Sequence, residues 1–455
     1  GLLSRNIRIV GENYPEIGEE EFGARVLVSK FEQEGVTYRG YAKISNVEFF
    51  RAGQEGWTDR YDPRYSLAFL DHEESTDNDE QLKESYVKKC SFNYNYNAAI
   101  GLFTTDNVLI EDNVIFRTME YGLRDEGVGN RWVHNLMVWT IFVGRWKEHR
   151  QNVYKRGCVT LNEAWDTDFR DNAISGCERA GIAATGHICS SDKRWDGNVI
   201  HSSHEGIHVN TYNPPLEIRE DKNCVVFRNF LIYKIYDYAF YLLTHDTVEM
   251  ENNIIVDSGV GVHPFLIRPR ATTHQVEEKY LQINNTVFIG RSDAFNCDTD
   301  IEPSYLWFDK ERNKGGTMWP GRNWKGYATG HAGLLWPIFS GIGVPLGKPW
   351  VNGKPKSFPL LTGQVFLNDV TFANFNPGQC DGQFDSAIRT NPRGDDMQFP
   401  IITQGTKFVK VADSSRIYMG RPIDKLVSNE HCVDMHCDGL KKALLIDTDG
   451  KVIGD

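Results

Sequence analysis

The stretch Glu111–Asp125, EDNVIFRTMEYGLRD, decides the fold because its pattern returns along the chain. A polar group ending in Asn113 precedes three apolar residues, and a Gly-Leu pair begins at Gly122. The same cadence recurs in RDNAISGCERAGIAA (170–184), WDGNVIHSSHEGIHV (195–209) and MENNIIVDSGVGVHP (250–264). Repetition on this scale indicates a fold built by stacking one small unit.

The repeats align on the residue before each apolar triplet. The anchors are Asn46, Cys90, Asn113, Asn135, Asn172, Asn198, Asn229, Asn253, Asn285 and Asp369. Close pairs are 23 residues apart (90 to 113) or 22 apart (113 to 135), and longer gaps fit the same unit with an added loop. β-branched and aromatic residues dominate the apolar positions, and helix-period stretches are almost absent.

A unit of about 22 residues with short strands cannot bury its apolar face alone. We therefore predict an all-β fold, a right-handed parallel β-helix of stacked coils. The recurrent Asn then has a structural role, because its amide tolerates unusual backbone angles and bonds the equivalent residues above and below as a ladder.

The repeat pattern fails after Asn285. We predict β-helix coils over residues 1–290, an irregular insertion rich in Trp, Gly and Pro over 291–360 that packs on the helix, and final coils with a C-terminal segment over 361–455. An open helix end is an exposed strand edge, so caps are expected at both ends. The chain opens directly on an alternating strand pattern, which we interpret as a segment cut from a longer protein.

Composition limits the partners. The formal net charge is −12 with no run of Lys and Arg, so we predict neither nucleic-acid binding nor attraction to anionic membranes. No apolar stretch reaches the 18 residues of a membrane helix, so no direct membrane contact is expected within these residues.

Nine cysteines lie scattered along the chain, and we expect a mixture of buried thiols and a few disulfides rather than a metal site. Cys432 and Cys437 form the candidate disulfide loop of HCVDMHCDG, with separate pairings as the alternative. Asn284 is the acceptor of a glycosylation sequon, Asn284-Asn285-Thr286, which fits secretion.

Three stretches resemble a known family: GLLSRNIRIVGE (1–12), GQEGWTDRYDPRYSLAFL (53–70) and CDGLKKALLIDTDG (437–450). They look like the fibrocystin and fibrocystin-L family and, more distantly, the hyaluronan-depolymerising cell-surface proteins. The resemblance covers nearly the whole chain. It implies an extracellular location within a large, membrane-anchored receptor of cilia or related surface projections, with the rest of that ectodomain as a partner.

One departure from the family pattern bears on function. The hyaluronan-degrading branch has a Pro-Ile-His-Phe-His segment where this chain has Ser66, Leu67, Ala68 and Phe69. Glycan cleavage needs an acid, a base or a metal at the scissile bond, so the missing His pair argues against hydrolysis.

The alignment also predicts a column of equivalent positions in the second strand of each coil. Its members are Arg124, Trp146, Ala183, His208, Tyr241 and His263. Because their sequence neighbours are apolar, we expect this column to face solvent and to offer rings and donors to a sugar. The alternative is a solvated side of the helix whose composition has no role.

Catalytic and metal sites have weaker patterns. Glu120 and Glu205 share an offset but lie three coils apart, roughly 15 Å, too far for a carboxylate pair. HSSHEGIHV offers His201, His204 and His208 as metal ligands, with scattered surface imidazoles as the alternative. The DTDG at 447–450 resembles the start of a calcium loop without its later ligands, so we predict a turn, no metal and no cofactor.

The Trp-rich insertion is the other candidate surface, with Trp319 and Trp324 at its centre. It is equally consistent with a glycan or protein platform and with structural packing. We therefore predict a non-catalytic extracellular scaffold and binding segment, and the alternative is a β-helix enzyme that cleaves hyaluronan or a similar glycan.

Overall fold

The computed structural model describes most of the chain. The described residues are 6–12, 22–56, 63–72, 85–141, 157–162, 164, 166–185, 195–210, 224–244, 247–266, 280–300, 330–336, 350–351, 354–355, 364–380, 384–390, 401–419 and 445–452. The chain divides into two compact units, Gly1–Leu231 and Ile232–Asp455.

The first unit contains three sheets, each contributed strand by strand from successive coils. Its first sheet has the order β1 (Ile7–Val10), β5 (Val47–Phe50), β8 (Ser91–Asn93), β11 (Val114–Met119), β14 (Leu136–Ile141), β17 (Ala173–Cys177) and β20 (Val199–His201). Its second sheet has the order β4 (Lys43–Ser45), β7 (Tyr86–Lys88), β10 (Leu109–Glu111), β13 (Arg131–Val133), β16 (Asp168–Arg170), β19 (Trp195–Asp196) and β22 (Cys224–Arg228). Its third sheet has the order β3 (Val36–Arg39), β2 (Val26–Gln33), β6 (Leu67–His72), β9 (Ile100–Thr105), β12 (Leu123–Asp125), β15 (Gly157–Asn162), β18 (Ala180–Thr185) and β21 (Glu205–Asn210).

The second unit repeats this arrangement. Its first sheet has the order β23 (Leu231–Tyr233), β26 (Ile254–Val256), β29 (Val287–Ile289), β34 (Thr371–Ala373) and β37 (Lys407–Val409). Its second sheet has the order β25 (Thr247–Glu251), β28 (Tyr280–Asn284), β33 (Gln364–Asn368), β36 (Ile401–Gln404) and β39 (Leu445–Asp447). Its third sheet has the order β24 (Tyr238–Thr244), β27 (Val260–Leu266), β30 (Ala332–Trp336), β35 (Ser386–Thr390) and β38 (Ile417–Met419). A hairpin, β31 (Trp350–Val351) with β32 (Lys354–Pro355), and one short helix, α1 (Asp413–Arg416), complete the described elements.

Strands of successive coils pair in parallel and in register, whereas β2 and β3 form an antiparallel hairpin at the start of the third sheet. The prediction of an all-β parallel β-helix is therefore confirmed. In the second sheet of the first unit, Ile110 pairs with Val87 on one side and with Trp132 on the other. Stacked rings continue this register into the core, as in Phe49 over Phe92 at 4.6 Å. Within the described residues, no helix is long and apolar enough to cross a membrane.

The recurrent Asn forms a buried ladder at the corner between the second and first sheets. The Oδ1 atom of Asn135 accepts bonds from the backbone N–H of Asn113 at 3.1 Å and from its Nδ2 at 3.0 Å. Asn172 and Asn198 continue the series, and each ladder Nδ2 also donates to a backbone carbonyl, as Asn135 does to Ile110 at 3.0 Å. The predicted structural role of this Asn is therefore confirmed.

Four of the aligned anchors do not occupy the ladder position but the position just before it. They are Asn46, Asn229, Asn285 and Asp369, with φ angles of 58°, 55°, 46° and 53°. Position 112, just before the ladder residue Asn113, has the same left-handed backbone (φ 57°). Asn and Asp tolerate that conformation well, so an Asn suits either of two adjacent positions for different reasons, and the alignment was wrong by one residue in these coils.

The predicted insertion at 291–360 contains one strand of the coils. β30 pairs in parallel with β27 and β35, so Ala332–Trp336 is a regular strand of the third sheet. Arg291, at the start of the segment, is buried and donates from Nε to Asp385 Oδ2 at 2.5 Å. These contacts join residues 94 positions apart, which the sequence pattern does not reveal.

Two disulfides are present among the described residues, Cys158–Cys177 and Cys297–Cys380. Cys90 is buried in the ladder, where its backbone N–H donates to Asn113 Oδ1 at 2.9 Å. The mixture of buried thiol and disulfides therefore agrees with the expectation. The candidate pair Cys432 and Cys437 lies outside the described residues.

Candidate functional site

The predicted column lies on the third sheets, but one of its positions is occupied by a different residue from the one predicted. Arg124 pairs with Thr160, Thr160 with Ala183, and Ala183 with His208. Thr160 therefore occupies the column position that the sequence alignment assigned to Trp146. The alignment did not allow for the extra residues between β14 and β15. Trp146 itself lies outside the described residues. In the second unit, Tyr241 pairs with His263 as expected.

The prediction that this column faces solvent is wrong for both histidines. His208 is 4% exposed and His263 is 1% exposed, whereas Arg124 and Tyr241 are partly exposed. At these two histidines the third sheets are buried on both faces, and such strands read as nearly continuous apolar runs. In the first unit, Tyr65 and Phe103 form part of an apolar cluster outside the helix core, and a side chain at Gly101 would collide with Tyr65.

Arg124 is the centre of a partly exposed polar group on this face. Its Nε donates to Glu126 Oε1 at 2.7 Å, and its guanidinium carbon lies 5.3 Å from the centre of the Phe103 ring. Asn162 Nδ2, one coil away, donates to the same carboxylate oxygen at 3.1 Å. Glu126 Oε1 is therefore held by two donor side chains.

Asp125 points the other way and is fully buried. It accepts bonds from Trp132 Nε1 at 2.7 Å, Asn130 Nδ2 at 2.8 Å and the Gly127 N–H at 2.9 Å. Burial raises the pKa of this carboxyl to about 7, although the three donors oppose that shift. A carboxyl with this set of partners fixes the corner after β12.

Glu205 and His208 form a buried pair at the start of β21. His208 Nδ1 lies 2.6 Å from Glu205 Oε2, and both side chains are less than a tenth exposed. Burial raises the pKa of Glu205, but attraction to His208 and the bond between them outweigh it and lower the pKa. His201 Nδ1 instead contacts Ser202 Oγ at 3.0 Å, whereas His204 lies close enough to Glu205 to contribute to its lowered pKa.

His263 lies in an aromatic cluster of the second unit. Its ring stacks on Tyr238 at 4.9 Å and meets Tyr241 edge-on at 5.7 Å. Burial lowers the pKa of His263 to about 3, so the imidazole is neutral at physiological pH. This cluster is a packing site rather than a solvent-facing binding stripe.

The remaining sequence candidates are distributed as follows. Trp319 and Trp324 lie outside the described residues. Asn284 is partly exposed at the end of β28, where its Oδ1 accepts from Asn368 Nδ2 at 3.0 Å. In DTDG, Asp447 accepts the Val452 N–H at 2.7 Å, a local bond typical of a turn, whereas Asp449 accepts the N–H of the distant Gly405 at 2.8 Å.

Sequence reasoning missed one surface, on the outer face of the first sheet of the first unit. Four coils carry exposed or half-exposed rings there: Phe50, Tyr94, Phe116 and Trp139. Arginines lie against them, as Arg117 does against Tyr94 at 4.8 Å and Trp139 at 5.2 Å. The signal was available, because Tyr94, Arg117 and Trp139 each follow a ladder position by four residues.

Comparison of the sequence with known proteins shows which families this chain resembles. The CEMIP β-helix matches residues 22–224. Human fibrocystin-L is 32% identical over all of this chain and a tenth of its own length, and dog fibrocystin is 28% identical over the same shares. The chain is therefore related to the fibrocystins, and its residues 22–224 match the CEMIP β-helix. It spans about a tenth of the length of the curated relatives it matches.

The family relation and the local geometry agree at one informative place. Ser66, Leu67, Ala68 and Phe69, which stand where the hyaluronan-degrading branch is expected to carry its histidine pair, are all fully buried, the last three of them in β6. Among solved structures, the Dettilon tailspike protein aligns with a TM-score of 0.29 and 10% identity, over 58% of this chain and 54% of that chain.

Proposed function

We propose that this chain is a non-catalytic scaffold and binding segment in the extracellular part of a large, membrane-anchored cell-surface protein of the fibrocystin type. One observation carries the proposal: the carboxylates around the predicted column are each held by neighbouring side chains. Glu126 is bound by Arg124 and Asn162, and Glu205 is bound by His208. A hydrolase instead needs a carboxyl directed at the substrate.

Two further features support a scaffold outside the cell. The buried Asn ladder bonds successive coils through side chains as well as backbone, which stiffens the stack. The disulfides Cys158–Cys177 and Cys297–Cys380 fit an oxidising compartment. The partners proposed for such a segment are other parts of the same ectodomain and a glycan or extracellular protein.

The test is incubation of the purified chain with high-molecular-mass hyaluronan, with and without calcium, followed by sizing of the polymer. We expect unchanged polymer length in both conditions. Shortened polymer would refute the non-catalytic role and favour the alternative, a carbohydrate-cleaving enzyme. An Arg124→Met variant, which would lose the Glu126 ion pair, would then show whether cleavage depends on the third-sheet face.

A further inference from the structure

A column of left-handed residues runs along the outer face of the first sheet in the first unit. Its members, each four residues after a ladder position, are Arg51, Tyr94, Arg117, Trp139, Gly176 and Ser202, with φ angles of 51°, 53°, 53°, 64°, 64° and 52°. Large side chains rarely adopt this backbone, so its recurrence at one position of successive coils reflects a built feature. We call it the aromatic column.

Trp139 is the most exposed ring of the aromatic column, at 45%. The guanidinium of Arg117 lies 5.2 Å from the ring centre and covers part of the indole. Phe116 meets the indole edge-on at 6.0 Å. These two contacts hold the ring in place while almost half of its surface stays in water.

Gly176 is the next member of the column and brings no side chain to Trp139. It lies between Ser175 and Cys177, which pair with Val138 and Thr140 on the strand that carries Trp139. A Cβ atom on Gly176 would lie 3.4 Å from the backbone nitrogen of Trp139 and 3.9 Å from the Trp139 Cβ, which are ordinary van der Waals contacts. The backbone therefore has room for a side chain, and its absence leaves the space beside the indole open.

Polar groups border this space. Ser175 pairs with His201 on the following coil, and the His201 Nδ1 contacts Ser202 Oγ at 3.0 Å. Hydroxyl and imidazole groups can both donate and accept hydrogen bonds. An exposed flat ring beside such groups matches a molecule with one apolar face and a polar edge.

We propose that Trp139 and Gly176 form a subsite for one neutral pyranose unit of a glycan. The C–H face of the sugar stacks on the indole above Gly176, and its hydroxyls meet Ser175, His201 and Ser202. A neutral ring suits the site better than a cation, because Arg117 already places a positive charge against the indole. The subsite lies on a different sheet from the third-sheet column and does not depend on the scaffold role.

The experiment measures binding of four neutral tetrasaccharides (chitotetraose, maltotetraose, cellotetraose and lacto-N-tetraose) to the whole chain by saturation-transfer NMR. Gly176→Asn fills the space, and Asn tolerates the left-handed backbone, so this variant folds normally. Trp139→Ala removes the stacking ring. Leu136→Ser, on the same strand and exposed on the same face, is the matched control.

We expect at least one tetrasaccharide to bind, with saturation strongest at the C–H protons of one sugar. Gly176→Asn and Trp139→Ala should each weaken that binding by about tenfold or more, and Leu136→Ser should leave it unchanged. Absence of binding by all four sugars, or equal binding by Gly176→Asn, would overturn the proposal. A hexa-arginine peptide that binds where no sugar does, and is lost in Gly176→Asn, would overturn it in favour of a basic protein partner.

Discussion

Replacing one rung of the Asn ladder should destabilise the first unit severely. The side chain of Asn135 takes part in four hydrogen bonds, two accepted from Asn113 and one donated to each of Asn172 and Ile110. Asn135→Ala removes all four and leaves the Asn113 N–H and the Ile110 carbonyl short of a partner in a buried corner. At about 1 kcal/mol for each bond, the free energy of unfolding should fall by about 4 kcal/mol.

The measurement is urea unfolding followed by circular dichroism, with His134→Asn as the control. His134 is the neighbouring residue, its side chain is 73% exposed, and its pair with Asp112 is a surface contact. The control should therefore change stability by no more than about 0.5 kcal/mol.

A second substitution separates hydrogen bonding from lost volume. Asn135→Asp keeps an acceptor for Asn113 but turns an anionic oxygen towards Asn172 Oδ1, so it should be at least as unstable as the alanine variant at pH 7. Protonation at pH 4 should restore part of that loss relative to wild type. A loss below about 1 kcal/mol for Asn135→Ala would refute the reasoning, because water or a shifted backbone would then replace the ladder at little cost.

Three other outcomes are expected. Because burial lowers the pKa of His263 from 6.5 to about 3, the folded state binds fewer protons than the unfolded state, and stability is lost as the pH falls below 6.5. His263→Phe should therefore recover about 2 kcal/mol of stability at pH 5 relative to pH 8 in paired thermal melts. Equal pH dependence of the two proteins would contradict this. Asp385→Ala leaves the buried Arg291 uncompensated and should cost about 3–5 kcal/mol in urea unfolding, whereas the exposed Asp298→Ala should cost almost nothing. Material secreted from animal cells should lose one N-glycan in Asn284→Gln by mass spectrometry, and an unchanged mass after deglycosylation of the wild type would show that the sequon is unused.

The sequence predicted the coils because their information is local. Each Asn-apolar-triplet unit carries its own corner and strand, and repetition multiplied a weak signal into a fold. The one-residue error at Asn46 and Asn229 arose where two adjacent positions both accept Asn, one for its amide bonds and one for its backbone freedom.

The candidate site was less predictable, because burial depends on what covers a strand rather than on the strand itself. The alternation around His208 and His263 predicted positions that face solvent, yet both side chains are buried because this face of the third sheet is also packed. The ion pair of Arg291 with Asp385 joins distant segments and has no local pattern. The aromatic column was readable in principle, at a fixed offset of four residues from the ladder.

The disulfide Cys158–Cys177 has a mechanical consequence. It ties β15 to β17 of the next coil, and it closes a segment of 19 residues. When tension unfolds the coils, the residues between the two cysteines cannot extend, even after the hydrogen bonds around them have broken. At about 3.5 Å per extended residue, the contour length released by the first unit is shortened by roughly 65 Å, a step that reappears in a force trace once the bond is reduced.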